Sequence, residues 1–323
     1  MTDQLFGAVG SYPDGAPGRR DLAGLRVVAV HAHPDDETIT MGGTLHQLSR
    51  RGADVTVVTC TLGEEGEVIG PAWQKLVADE ADQLGGLRIG ELDQALRALG
   101  VRGEFLGGAG AYRDSGMAGT ASAANPRALV NNSEAATRDL VEILRRIRPQ
   151  LVLTYDPYGG YGHPDHIKAH EITHAAAEAV GVKRLAWQVM PEARQESGLA
   201  EIDEVPPGWR RAKPGELASV ADELVDAAVE LEAEDLAAKL SGFRAHATQL
   251  QLADGTVSPT NPEPAWAAIK HPGAIGAVYC LSNRIAQPVL RAEYFHVAAG
   301  LPVEDRSDIA SGLDLAERPG AGR

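Results

Sequence analysis

From Leu25 onward, short β-branched runs alternate with longer stretches of helical apolar spacing. That alternation restricts the chain to βα units stacked around a parallel sheet. LRVVAVHA (25–32) is the expected first strand, and a helix from Glu37 to Arg51 follows it and stops at Gly52. DVTVVTCT (54–61) is the second strand, a helical region is expected over 71–100 with a break near Gly85-Gly86, and GEFLGG (103–108) is a weaker third strand. A helix from Ser133 to Ile147 ends before Pro149 and leads into the fourth strand, QLVLTYDP (150–157). The next helix opens after YGGYGHPDH (158–166) and closes near Gly181; KRLAWQVM (183–190) is the fifth strand. The expected class is α/β, a doubly wound, mostly parallel sheet of order 3-2-1-4-5.

Around that core the chain divides by composition. Residues 1–24 read as a flexible Gly/Pro-rich lead-in, 25–190 as the core, 191–303 as a C-terminal extension that completes a pocket, and 304–323 as a frayed tail. The extension begins with a proline-punctuated stretch (191–222), followed by a strand within 223–231 and a helix over 234–249. The small-residue segment 109–132 has no periodicity, and a loop of that length is either functional or mobile.

Charge and cysteine content exclude several roles. With 30 Lys+Arg against 45 Asp+Glu, the net charge is −15, which repels nucleic acid and anionic membrane surfaces. Two cysteines cannot build a disulfide framework. No apolar run approaches the roughly 18 residues of a spanning helix, and the N-terminus lacks the order of a signal peptide. A reducing cytoplasm is the expected setting. Nothing in the sequence fixes an oligomeric state.

Two clusters carry ligand-capable side chains. HAHPDDE (31–37) ends the first strand, and YGHPDH (161–166) follows the fourth. In a 3-2-1-4-5 sheet those strands are neighbours at the point where the order reverses, so both turns face one crevice. Taken singly, an aspartate at a helix start is commonly a cap; two such clusters at adjacent strand ends point to a shared site. Two imidazoles and a carboxylate suit Zn2+ or Fe2+, and His33, Asp36 and His166 are the expected ligands, one ion per chain. Asp35 and His163 are left beside the ion, a proton acceptor and an oxyanion partner of the kind hydrolysis requires. His31 is either a third ligand or, as the last strand residue, packed. Glu64, Glu65 and Glu67 form an acidic loop that either meets substrate or is solvated, and Met41-Gly42-Gly43 lets a helix approach the sheet closely.

With AHPDDE (32–37) and HPDH (163–166) in this order, the chain resembles the PIG-L/LmbE-like family of zinc-dependent N-deacetylases, which have a Rossmann-like fold. The similarity extends through VTCTLGEEGEVIG (58–70), DQLGGLRIGEL (82–92), LGGAGAYRDSGMAGT (106–120), TYDPYGGYGHPDH (154–166) and RAHATQ (244–249), most of residues 25–300. The resemblance implies His33, Asp36 and His166 as metal ligands, Asp35 as general base, and a protonated His163, oriented by Asp165, as oxyanion partner. It further implies that Tyr161 polarises the acetyl carbonyl, and that Arg88 and Asp114 contact sugar or inositol hydroxyls. The implied substrate is an N-acetylglucosaminyl-inositol whose acetamide is hydrolysed on the way to mycothiol. An amidase acting on bulkier mycothiol conjugates is the alternative within the family, and a non-catalytic sugar- or metal-binding protein the alternative outside it.

Overall fold

The computed structural model describes residues 22–315. Strands β1 (Arg26–His31), β2 (Asp54–Thr59) and β4 (Leu151–Tyr155) bury nearly every side chain, as a parallel sheet covered by helices on both faces requires. Val27 and Ala29 enter one apolar cluster with Leu45, Leu48, Leu92 and Leu96, whereas Val28 and Val30 enter another with Leu140, Leu144 and Ile172. Alternate strand residues point to opposite faces, so the sheet has a core on each side.

Helix α1 (Asp36–Arg50) follows β1, α2 (Leu84–Leu99) follows β2, and β3 (Arg102–Phe105) completes that half. Helix α3 (Ser133–Ile147) leads into β4, after which a single turn, α4 (Gly159–Gly162), precedes α5 (Pro164–Val180) and β5 (Arg184–Val189). The five strands pair in parallel in the expected order 3-2-1-4-5. Only the later half of the expected 71–100 helix forms. Gly85 and Gly86 lie inside its first turns; a side chain at Gly85 would meet that of Glu64.

The C-terminal part departs from a separate extension. After α6 (Glu192–Ala200), β6 (Ile202–Glu204) and β7 (Arg210–Arg211), strand β8 (Ala227–Glu230) returns to the main sheet, and α7 (Ala233–Ala245) packs on α1 and α2. Strands β9 (Gln251–Leu252), β11 (Ala277–Cys280) and β12 (Ile285–Val289) form a second sheet with β7, and β10 (Ala268–Ile269) pairs with β6. Strand β13 (Ala292–Gly300) then runs antiparallel between β5 and β8, giving a seven-stranded sheet of order β3-β2-β1-β4-β5-β13-β8. The expected fraying at both ends is corrected where residues are described. Leu22 is fully buried, and Ile309, Ala310 and Leu313 join the core beneath a buried Arg184 that donates to the carbonyls of Leu301, Ile309 and Ser311. Residues 1–21 and 316–323 lie outside the described part.

Helix α1 is bent at Met41, whose φ of −145° breaks the ladder. The Gly43 and Thr44 N–H groups donate to the Glu293 carboxylate at 3.0 and 2.7 Å, and Lys239 bridges Glu293 (2.6 Å) and the Ile39 carbonyl (3.0 Å). A Cβ at Gly43 would stand 2.5 Å from Leu231, so the expected close approach occurs there. Strand β13 and helix α7 thereby set the direction of the half-helix that carries Asp36. Both cysteines are buried and free.

Candidate active site

The turn after β1 and the turn after β4 meet at the carboxyl edge of the sheet, because β1 and β4 are paired from Val27↔Leu151 to Ala29↔Leu153. There His33 Nδ1, Asp36 Oδ2 and His166 Nε2 form a triangle with sides of 3.4, 3.4 and 3.3 Å. A tetrahedral zinc ion with bonds of about 2.0–2.1 Å holds its ligand atoms about 3.3–3.4 Å apart. All three residues are buried.

The remaining nitrogens fix what the triangle presents. His33 Nε2 faces Asp165 Oδ2 at 3.3 Å and Asp114 Oδ1 at 3.5 Å, and His166 Nδ1 faces the Gly159 carbonyl at 3.1 Å. Each neutral imidazole thus directs its N–H outward and its lone pair inward, the pattern of a metal ligand supported by an outer carboxylate or carbonyl. Two lone pairs and a carboxylate oxygen converging at these distances repel unless a positive charge lies between them. Burial lowers the His33 pKa, but Asp114, Asp165 and Asp36 outweigh it and hold it above the ordinary value, so a cation bound here displaces a proton from that ring. The donor set therefore fits a divalent ion of the zinc class.

Tyr155 locks the arrangement. Its hydroxyl accepts the Ala32 N–H and donates to Asp36 Oδ2, both within 2.8 Å, and its ring stacks on His166 at 4.3 Å. Asp35 occupies the left-handed region (φ 116°), a strained position for a residue with a Cβ. Its carboxylate lies 3.2 Å from Arg88 Nη2. Burial pushes its pKa up to about 7, with Arg88 opposing and Asp36 adding.

His163 caps α5 and its ring centroid lies 4.6 Å from that of His33. The Asp165 N–H donates to His163 Nδ1 at 3.2 Å, so Nδ1 carries the lone pair and Nε2 the proton. Burial, followed by His33 and His166, pulls its pKa down to about 3. The expectation of a protonated His163 is corrected to a neutral Nε2–H donor. Tyr161 is 61% exposed at the mouth, 5.1 Å from the His166 ring.

Asp165 turns its buried carboxylate to His33 and to the Ser115 N–H at 2.8 Å, and gives His163 its backbone N–H. Arg88 is 3% exposed and spends its fork on the carbonyls of Gly63 and Pro34 and on Asp35, so it braces the proton acceptor in place of reaching solvent. Asp114 is also 3% exposed, accepts the Gly116 N–H, and lies against His33. Both thus lie within the site, Arg88 against Asp35 and Asp114 against His33. His31 is fully buried with neither ring nitrogen bonded, hence packed. In the acidic loop, Glu64 accepts the Asp114 N–H and Glu65 pairs with Arg113, while Glu67 is exposed. Sequence reasoning missed Tyr155 as a support, and its position at the end of β4 was the available signal. It also missed His246 and Glu37, whose partners are far apart in the chain.

A buried site of this composition at the switch point of a doubly wound sheet defines the class: an α/β protein whose His and Asp side chains fit a metal ion. Residues 28–177 match the family model described as GlcNAc-PI de-N-acetylase. The 1D-myo-inositol 2-acetamido-2-deoxy-alpha-D-glucopyranoside deacetylase of Corynebacterium efficiens is 57% identical over 281 residues, covering 87% of this chain and 90% of that protein. The protein of the same name from Rhodococcus jostii is 50% identical, covering 88% and 94%. Among solved structures, N,N'-diacetylchitobiose deacetylase from Pyrococcus horikoshii aligns with a TM-score of 0.45 at 21% identity, over 69% of this chain and 70% of that one. The chain belongs to the PIG-L family. Among the described residues, no helix is long and apolar enough to cross a membrane.

Proposed function

We propose that this protein is a metal-dependent N-deacetylase that hydrolyses the acetamide of 1D-myo-inositol 2-acetamido-2-deoxy-alpha-D-glucopyranoside to acetate and the free amine. The observation that carries this reading is the 3.3–3.4 Å triangle of His33, Asp36 and His166 with Asp35 and His163 beside it. Relatives at 50–57% identity that cover most of this chain carry that activity in their names.

His33, Asp36 and His166 would hold Zn2+ or Fe2+, which supplies Lewis-acid polarisation of the amide and a lowered pKa for water. Asp35, with a pKa raised to about 7, takes the proton from the attacking water. Arg88 and the Asp35 backbone fix the direction of that carboxylate. His163 donates its Nε2–H to the oxygen that gains charge as the carbonyl is attacked. Tyr161, exposed at the mouth, would be a second donor to that oxygen. The proton that Asp35 has taken then passes to the departing amine. The setting proposed is the cytoplasm, in line with the expected reducing compartment.

The test is amine release from the inositol substrate by metal-loaded protein, beside a mycothiol conjugate at equal concentration. Faster turnover of the inositol compound is expected. Preference for the conjugate would overturn the substrate assignment.

A further inference from the structure

A fully buried ionisable pair joins the two halves of the chain one layer behind the site. Glu37 and His246 are both fully buried, and His246 Nε2 lies 2.7 Å from Glu37 Oε1. The other Glu37 oxygen, Oε2, accepts the backbone N–H of Asp35 at 3.0 Å, and the Thr38 hydroxyl donates to Oε1 at 2.5 Å. His246 is fixed in turn. It is the C-cap of α7, and its carbonyl accepts the Gln249 and Leu250 N–H groups. No other described group bonds its Nδ1.

Asp35 needs such a hold. At φ 116° its backbone does not rest in a favoured well, and a residue kept there is over-determined by its surroundings. Arg88 fixes the Asp35 side chain from one side. On the backbone side the only described partner of the Asp35 N–H is Glu37, whose carboxylate is itself anchored by a histidine more than 200 residues away.

We propose that His246 is a positioning residue for Asp35: by fixing Glu37 it holds the Asp35 N–H, and with it the φ that aims the Asp35 carboxylate at the site. The inference rests on the reading of Asp35 as proton acceptor. His246 is fully buried, and its effect passes through one carboxylate and one peptide group.

The experiment compares metal-loaded His246→Leu, His246→Gln, Asp35→Asn and the Asp35→Asn/His246→Leu double variant, measuring kcat, KM, bound metal and circular dichroism. His246→Leu is expected to lower kcat about 10–100-fold, the scale of a misplaced reacting group, with KM within about twofold and metal stoichiometry unchanged. His246→Gln, which restores an N–H donor toward Glu37, should recover kcat to within about fivefold of wild type. In the Asp35→Asn background the His246→Leu change should cost nothing further, because the two act as one unit. If His246→Leu does not fold, Glu37→Gln takes its place, with the same kcat loss and the same silence beside Asp35→Asn required. Wild-type kcat in His246→Leu with an inactive Asp35→Asn overturns the proposal alone, as does an equal loss in both backgrounds. Wild-type turnover in Asp35→Asn overturns the reading of Asp35 and the proposal with it.

Discussion

The Nε2 of His33 stands 3.3 Å from Asp165 Oδ2, and the same imidazole places Nδ1 3.4 Å from Asp36 Oδ2. One ring thus spans an outer carboxylate and an inner one. Replacing Asp165 by Asn removes the charge that selects this tautomer. Asp165→Asn should fold as wild type and bind zinc about 10–100-fold more weakly, read by competition with a chromogenic chelator. Unchanged affinity would show that Asp165 does not support His33.

His163 offers a neutral Nε2–H, held by the Asp165 N–H on Nδ1. Removing one donor to a developing oxyanion typically costs about 10²–10³ in rate. His163→Ala should lose kcat on that scale while retaining one bound metal and nearly wild-type KM. Loss of the metal instead would make His163 a ligand, which the proximity of its ring to His33 and His166 makes worth measuring.

The bend in α1 depends on a buried ion pair, Lys239–Glu293 at 2.6 Å, both side chains under 7% exposed. Removing one partner of such a pair costs about 3–5 kcal/mol, because the other charge stays buried. Lys239→Met should lower urea-unfolding stability by that amount. A change below about 1 kcal/mol would mean that Gly43 and Thr44 N–H groups alone satisfy Glu293.

Asp235 ties α7 to α1 through His46, Gln47 and Arg50. Burial raises its pKa, but these partners outweigh burial and hold it at about 2, below the ordinary 3.8. A depressed carboxylate contributes stability that is complete above the unfolded value and lost as pH falls toward the folded one. The stability gap between wild type and Asp235→Asn should therefore be flat from pH 7 to about 4 and close toward pH 2. A gap that persists unchanged at pH 2 would contradict the ion-pair origin.

The five parallel strands and both ligand turns were legible because each is local: β-branched runs, glycine stops and ligand residues at strand ends. Strand order alone brought the two turns to one crevice; the choice of His33, Asp36 and His166 within it rested on residue chemistry. What escaped the sequence was long-range. Strand β13 enters the main sheet by antiparallel pairing with β5 across more than 100 residues and brings β8 in beside it, and the burial of Ile309, Ala310 and Leu313 beneath Arg184 is announced by nothing in that polar segment. Arg88 and Asp114 entered through the family resemblance, because a sequence shows residue type and not direction; in the fold each turns inward to a charged neighbour. The Glu37–His246 pair was hidden for the same reason, each member falling in a separate motif.

The central claim, that one ion held by His33, Asp36 and His166 makes this chain an N-deacetylase, is tested most directly by titrating zinc into chelator-stripped protein while following amine release from the N-acetylglucosaminyl-inositol substrate. Activity should be absent at the start, rise linearly and level off at one ion per chain, and Asp36→Asn should stay flat throughout. Undiminished turnover in the stripped protein, or a wild-type titration curve in Asp36→Asn, would contradict the account.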